Sequence, residues 1–130
     1  MGAFEDLEVW QMGREMVVTI YGLAKALPQE ETFGLASQIK RAALSVPANI
    51  AEGFGRYHYA DKAKFYLNAR GSLYELKSHL LIAFDLGYLP EDKKACIFET
   101  VDSLSLKLNN LITATRKFGK KPKSGDTSGE

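Results

Sequence analysis

The chain has 130 residues with 17 Lys plus Arg against 16 Asp plus Glu, one Cys and 45% hydrophobic residues, the profile of one soluble domain with an adequate core. Its longest apolar run, Leu80 to Phe84 before Asp85, is too short to span a bilayer, and an opening with Glu5, Asp6 and Glu8 lacks the basic and apolar regions of a signal peptide. The expectation is a cytoplasmic protein with no membrane contact, and solitary Cys96 excludes an internal disulfide or a cysteine-rich zinc site.

Charge is unevenly spread. Residues 1–31 hold two bases and six acids (2 − 6 = −4), whereas residues 103–125 hold Lys107, Arg116, Lys117, Lys120, Lys121 and Lys123 and no acid. Such a basic end reads either as a solvated tail or as an attractor of polyanions.

In chain order, Trp10, Gly13, Val17, Ile20, Ala24 and Leu27 recur at helical spacing and predict a first helix that ends at Leu27-Pro28. Val9, Met12, Met16 and Leu23 form a second apolar stripe beside the first. After Phe33-Gly34, a second helix follows from Leu35, Ile39, Ala42, Val46, Ile50 and Phe54. Pro47 falls inside it, where a missing N–H and a clash with the Ala43 carbonyl cost about 3 kcal/mol, so a kink or break is expected near Val46. Asn49, Glu52 and Arg56 share one face, with Glu52 and Arg56 spaced for an i,i+4 pair. Two readings stand: a structural polar network beside the kink, or a contact to a ligand or nucleic acid.

Gly53-Phe54-Gly55 follows a helix and lacks the further residues of a phosphate-binding loop. Next come Arg56, Tyr57, His58 and Tyr59 with Lys62 and Lys64. That mixture suits unpaired bases stacking while phosphates are neutralised, or else a helix corner with half-buried tyrosines. The third helix carries Ala69, Leu73, Leu76, Leu80, Ala83 and Gly87, whose small residues favour close approach by a neighbour. A second stripe of Tyr66, Tyr74, Leu81, Phe84 and Tyr88 runs alongside. Gly87-Tyr88-Leu89-Pro90 closes it, and Ile97, Val101, Leu104, Leu108, Leu111, Thr115 and Phe118 form the seam of a fourth. Beyond Phe118 no apolar residue follows, so residues 119–130 read as a disordered basic tail.

These elements predict an all-α, antiparallel, up-and-down four-helix bundle over residues 1–118 with a kinked second helix and that tail. The spare stripes on helices one and three imply either unusually complete packing or contact with other subunits, and oligomerisation is the expectation. Catalysis finds little footing: His58 and His79 have no nucleophile beside them in the sequence pattern. Glu75 and His79 also miss the spacing of a di-metal bundle. No enzyme activity, cofactor or metal is expected.

Residues Phe4 to Gln11, Phe33 to Ala43, Ser45 to Gly53 with Arg56, and Ala69 to Glu75 through Leu86 to Leu89 together resemble the four-helix-bundle family of proteins encoded in intervening sequences of 23S ribosomal RNA genes, also called the S23 ribosomal protein family. The resemblance covers residues 4–117. It implies a small bacterial bundle assembled as a homopentamer, similar in fold to the accessory variability determinant protein of diversity-generating retroelements, which binds nucleic acid and a reverse transcriptase. The positions matching the family pattern are Trp10, Arg41, Pro47, Asn49, Glu52, Gly53, Arg56, Gly71, Ser72, Glu75, Gly87 and Tyr88. Among them Gly71-Ser72 would admit a neighbouring helix, and Glu75 would meet Arg41 or Arg56.

Two functions follow as expectations. In one, a homo-oligomeric ring binds RNA or other nucleic acid through Lys40, Arg41, Arg56, Tyr57, Lys62, Lys64, Arg116, Lys117, Lys120 and Lys121. In the other, the bundle is a scaffold for a protein partner.

Overall fold

The computed structural model describes residues 2–120. It contains α1 (Glu8–Ala24), α2 (Leu35–Phe54), α3 (Tyr59–Asp85) and α4 (Lys94–Gly119), with short 3-10 turns at Phe4–Asp6, Gln29–Glu31 and Glu91–Lys93. Cross-helix pairs fix the directions. Gly13 abuts Pro47 while Lys40 lies over the Tyr21 ring, so α1 and α2 are antiparallel. Ser45 meets Ser72 and Gly53 meets Tyr66, which sets α2 against α3; Arg70 meets Asn109 and Lys77 meets Asp102, which sets α3 against α4. The bundle is therefore all-α and up-and-down. Among the described residues no helix is long and apolar enough to cross a membrane.

The core is a stack of side chains from all four helices. Met16, Ile20, Ile39, Val46, Ile50, Leu73, Leu76, Leu80, Leu104 and Leu108 are closed to solvent, and full burial of each aliphatic chain contributes about 1.5–3 kcal/mol. The α4 seam follows the expected residues from Ile97 to Leu108 and again at Thr115; between them Ile112 is the buried residue with Leu111 packed half-buried beside it, and Phe118 is exposed. A straight helix of 3.6 residues per turn drifts away from a strict heptad pattern by about 20° per heptad, which brings Ile112 inward.

The spare stripe of α1 belongs to its own bundle: Val9 and Met16 are buried and Met12 and Leu23 pack on the core. On α3 the stripe splits, with Tyr66 and Phe84 buried and Tyr74 and Leu81 exposed. Gly87 is not a seam residue. At φ 75° it ends α3, with its N–H donating to the Phe84 carbonyl and the Tyr88 N–H to that of Ala83, a Schellman closure that needs a residue without a Cβ penalty.

Helix α2 runs through Pro47 without a break, so of the two outcomes that the proline allows, kink or break, the second is absent. The ring is buried against α1, where a Cβ on Gly13 would stand 3.4 Å from the proline Cβ, and this packing offsets the lost backbone hydrogen bond. Close approach of α2 to α3 occurs at Gly53, where a Cβ would meet the Tyr66 ring at 2.7 Å. Gly71, expected to serve that purpose, instead faces open space; Ser72 makes the contact.

The remaining family-pattern residues have identifiable jobs. Trp10 packs edge-on to Phe4 at 5.1 Å beneath the Arg14 guanidinium. Asn49 donates to the Ser45 carbonyl and hydroxyl at 2.9 and 3.0 Å. Tyr88 donates to Glu31 at 3.4 Å, and the other Glu31 oxygen accepts the Leu35 N–H at 3.0 Å, placing a carboxylate at the positive N-terminus of α2. Desolvation, followed by the charges of Glu31 and Glu30 and the Glu31 hydrogen bond, holds the Tyr88 hydroxyl above its ordinary pKa. Burial does the same to Tyr66.

Candidate nucleic-acid interface

One end of the bundle is built from the α2–α3 connection and the last turns of α4. Helix α2 stops at Phe54 because Gly55 and Arg56 turn back onto the Ala51 and Gly53 carbonyls. Lys62 then donates to the Phe54 carbonyl at 2.7 Å and lies over the Phe54 ring. Its charge satisfies an otherwise open helix terminus, so Lys62 is a clamp between α2 and α3. Arg56 is exposed and pairs with Glu52 at 2.6 Å as the spacing predicts. It also lies 4.5 Å above the Phe65 ring. Tyr57, 88% exposed, rests edge-on against His58.

Between the first turns of α3 and the last turns of α4 runs a groove of about 570 Å³. Ala60, Ala63 and Leu67 supply apolar surface, and Lys64, Arg116 and Lys120 supply three cations. Tyr59 lines it too and stacks on Phe118 with ring centroids 5.8 Å apart. Gly119 permits this closeness, since a Cβ there would lie 3.3 Å from that of Tyr59. Among the described residues no carboxylate lines the groove; Asp61, in the same first turn of α3, is exposed outside it. Arg116 and Lys117 also complement the negative end of the α4 dipole.

The expected cations thus separate into groups. Lys64, Arg116 and Lys120 converge on the groove, and Lys117 is exposed on the same last turns of α4. Lys40 and Arg41 sit toward the other end of α2, with Lys40 over Tyr21 at 5.5 Å and Arg41 donating to Gln38 at 3.3 Å. Lys121 and the remainder of the basic tail lie outside the described residues. Glu75 meets His79 at 3.2 Å rather than Arg41 or Arg56. Among the described residues no three His, Cys, Asp or Glu side chains are placed to share a metal ion.

The sequence reading missed Ala60, Ala63, Leu67 and Asn68 as groove residues. Their signal lies in the stripe Ala60, Ala63, Lys64, Leu67, Asn68 on α3, answered by Thr115, Arg116, Gly119, Lys120 on α4. Both follow the i, i+3, i+4 pattern of one helix face.

No curated protein matches the chain. The profile of the 23S rRNA-intervening sequence protein family matches residues 5–110, and the chain belongs to that family. The match ends before Arg116 and Lys120, so the α4 wall of the groove lies beyond it.

Proposed function

We propose that this 23S rRNA-intervening sequence protein acts by binding rather than catalysis, as a cytoplasmic homo-oligomer, pentameric as the family resemblance implies, that holds RNA through the basic end of its bundle. The observation carrying this reading is the convergence of Lys64, Arg116 and Lys120 on one groove that no carboxylate lines among the described residues. Exposed Arg56, Tyr57 and Lys117 extend the same end. Association of copies is supported by Val18, Leu44 and Leu106, which stand more than half exposed on the outer faces of α1, α2 and α4. Repetition around a ring would turn a weak patch into an avid one.

The test is an anisotropy titration of a labelled structured RNA. Affinity should fall about 10³- to 10⁵-fold between about 50 and 200 mM salt if six to ten phosphates are contacted across the oligomer. A chain ending at Phe118, which loses Lys120 and the basic segment after it, should bind more weakly. Absence of binding at the lower salt ends this reading.

The exposed Tyr74 and Leu81 of α3 favour a second reading, a scaffold for a protein partner. A specific partner retained from nuclease-treated lysate, with no RNA affinity in the titration, would select it.

A further inference from the structure

The groove between α3 and α4 has a composition that charge attraction alone does not require. Tyr59, Ala60, Ala63 and Leu67 present apolar and aromatic surface to it, with Ala63 buried and Leu67 half-buried, while the lining cations Lys64, Arg116 and Lys120 are exposed. A double-stranded helix keeps its bases stacked inside and offers a protein mainly phosphates and 2′-hydroxyls, so it would leave that surface in water. An unpaired nucleotide offers both chemistries at once: a flat base for the aromatic and apolar surface, and a phosphate for the cations.

Resting on the RNA-binding reading above, we infer that this groove is a seat for single-stranded RNA, with an unpaired base against Tyr59 and the apolar floor and its flanking phosphates on Lys64, Arg116 and Lys120. Tyr59 is suited to the task because Phe118 backs its ring, so the platform is already ordered before a base arrives and less side-chain freedom is lost on binding. The volume of about 570 Å³ falls within the range of about 300–1,000 Å³ of small-ligand sites, large enough for a nucleotide. Charge complementarity favours an anionic occupant, since three exposed cations attract a phosphate and add nothing to the binding of an apolar ligand.

The experiment titrates the full-length protein against a short labelled single-stranded RNA and against the same sequence as a duplex, at about 50 and 200 mM salt. The single strand should bind at least about tenfold more tightly, and Tyr59→Leu should remove about tenfold of that affinity while leaving duplex binding and the salt slope unchanged. Tyr59→Phe should bind like the parent. Asn68→Glu, which adds a carboxylate to an exposed position in the groove lining, should weaken single-strand binding without altering the thermal melt, so an effect of misfolding is separated from one of recognition. Equal, salt-dependent binding of single strand and duplex, untouched by Tyr59→Leu and Asn68→Glu, would overturn the seat and leave RNA binding standing. Failure of both RNAs to bind would remove the RNA reading itself.

Discussion

Ser45 Oγ lies 2.8 Å from Ser72 Oγ, and Asn49 Nδ2 donates to the same Ser45 hydroxyl, so one half-buried oxygen joins two turns of α2 to the middle of α3. Removing the two hydroxyls one at a time should have unequal consequences. Ser72→Ala leaves Ser45 still hydrogen-bonded to Asn49 and should cost about 0.5–1.5 kcal/mol. Ser45→Ala deprives Ser72 and Asn49 together and should cost more. The double variant should be less destabilised than the sum, with a coupling of at least about 0.5 kcal/mol in urea unfolding. Strict additivity would show that the three groups do not act as one network.

Two helix-interior glycines should respond in opposite directions to the same change. Gly53→Ala places a Cβ against the Tyr66 ring and 3.1 Å from the Lys62 carbonyl, so it should destabilise by about 1–3 kcal/mol. Gly71→Ala enters open space and should stabilise by about 0.5–1 kcal/mol, because alanine loses less backbone entropy in a helix. Thermal melting of both variants reads the difference. Destabilisation of the Gly71 variant at high protein concentration alone would show that a second copy sits on that face.

Alkaline pH should loosen the bundle. Tyr66 and Tyr88 both have pKa values raised above 10.0 in the folded state. A raised folded value means that the stabilising contribution is complete below the unfolded pKa and is lost as pH climbs through the folded one. Stability measured by urea unfolding should therefore hold constant toward pH 10 and decline above it. Tyr88→Phe should remove part of that decline. It should have little effect near neutrality, because the hydrogen bond it deletes, to Glu31 at 3.4 Å, is long.

Oligomerisation can be tested at residues the monomer does not need. Val18 is 70% and Leu44 52% exposed, so Val18→Asp and Leu44→Asp should leave helicity and monomer packing intact while lowering the mass seen by light scattering. Unchanged mass in both would place the contact between copies elsewhere, with Leu106 or Tyr74 next to be tried.

Four helices, their turns and most core residues were legible in the chain because burial repeats at the helical period. What stayed hidden depended on which neighbour covers a given face. The second stripe of α1 reads the same whether α4 or another subunit lies over it, and only the packed structure shows Met16 enclosed within its own bundle. Similarly, Gly71 and Gly53 look alike in sequence, yet one faces solvent and the other faces a tyrosine ring. Lys62 sits among the basic residues of a plausible RNA surface, but its ammonium is committed to the Phe54 carbonyl. The groove escaped notice because its two walls lie about fifty residues apart, and neither stripe is unusual alone.

The loosest seam is that between α1 and α4, where two clefts of about 340 Å³ open and the ion pair of Lys107 with Glu8 at 3.3 Å spans the gap. Every other seam joins a helix to its immediate successor, so those contacts can form in order as the chain emerges from a ribosome, whereas α1 is made first and its α4 wall last. Met16 and Ile20 must therefore wait with one side wet until synthesis is nearly finished. The final docking of α4 works like a clasp, and amide hydrogens lining this seam should exchange with solvent sooner than those at the α2–α3 contact.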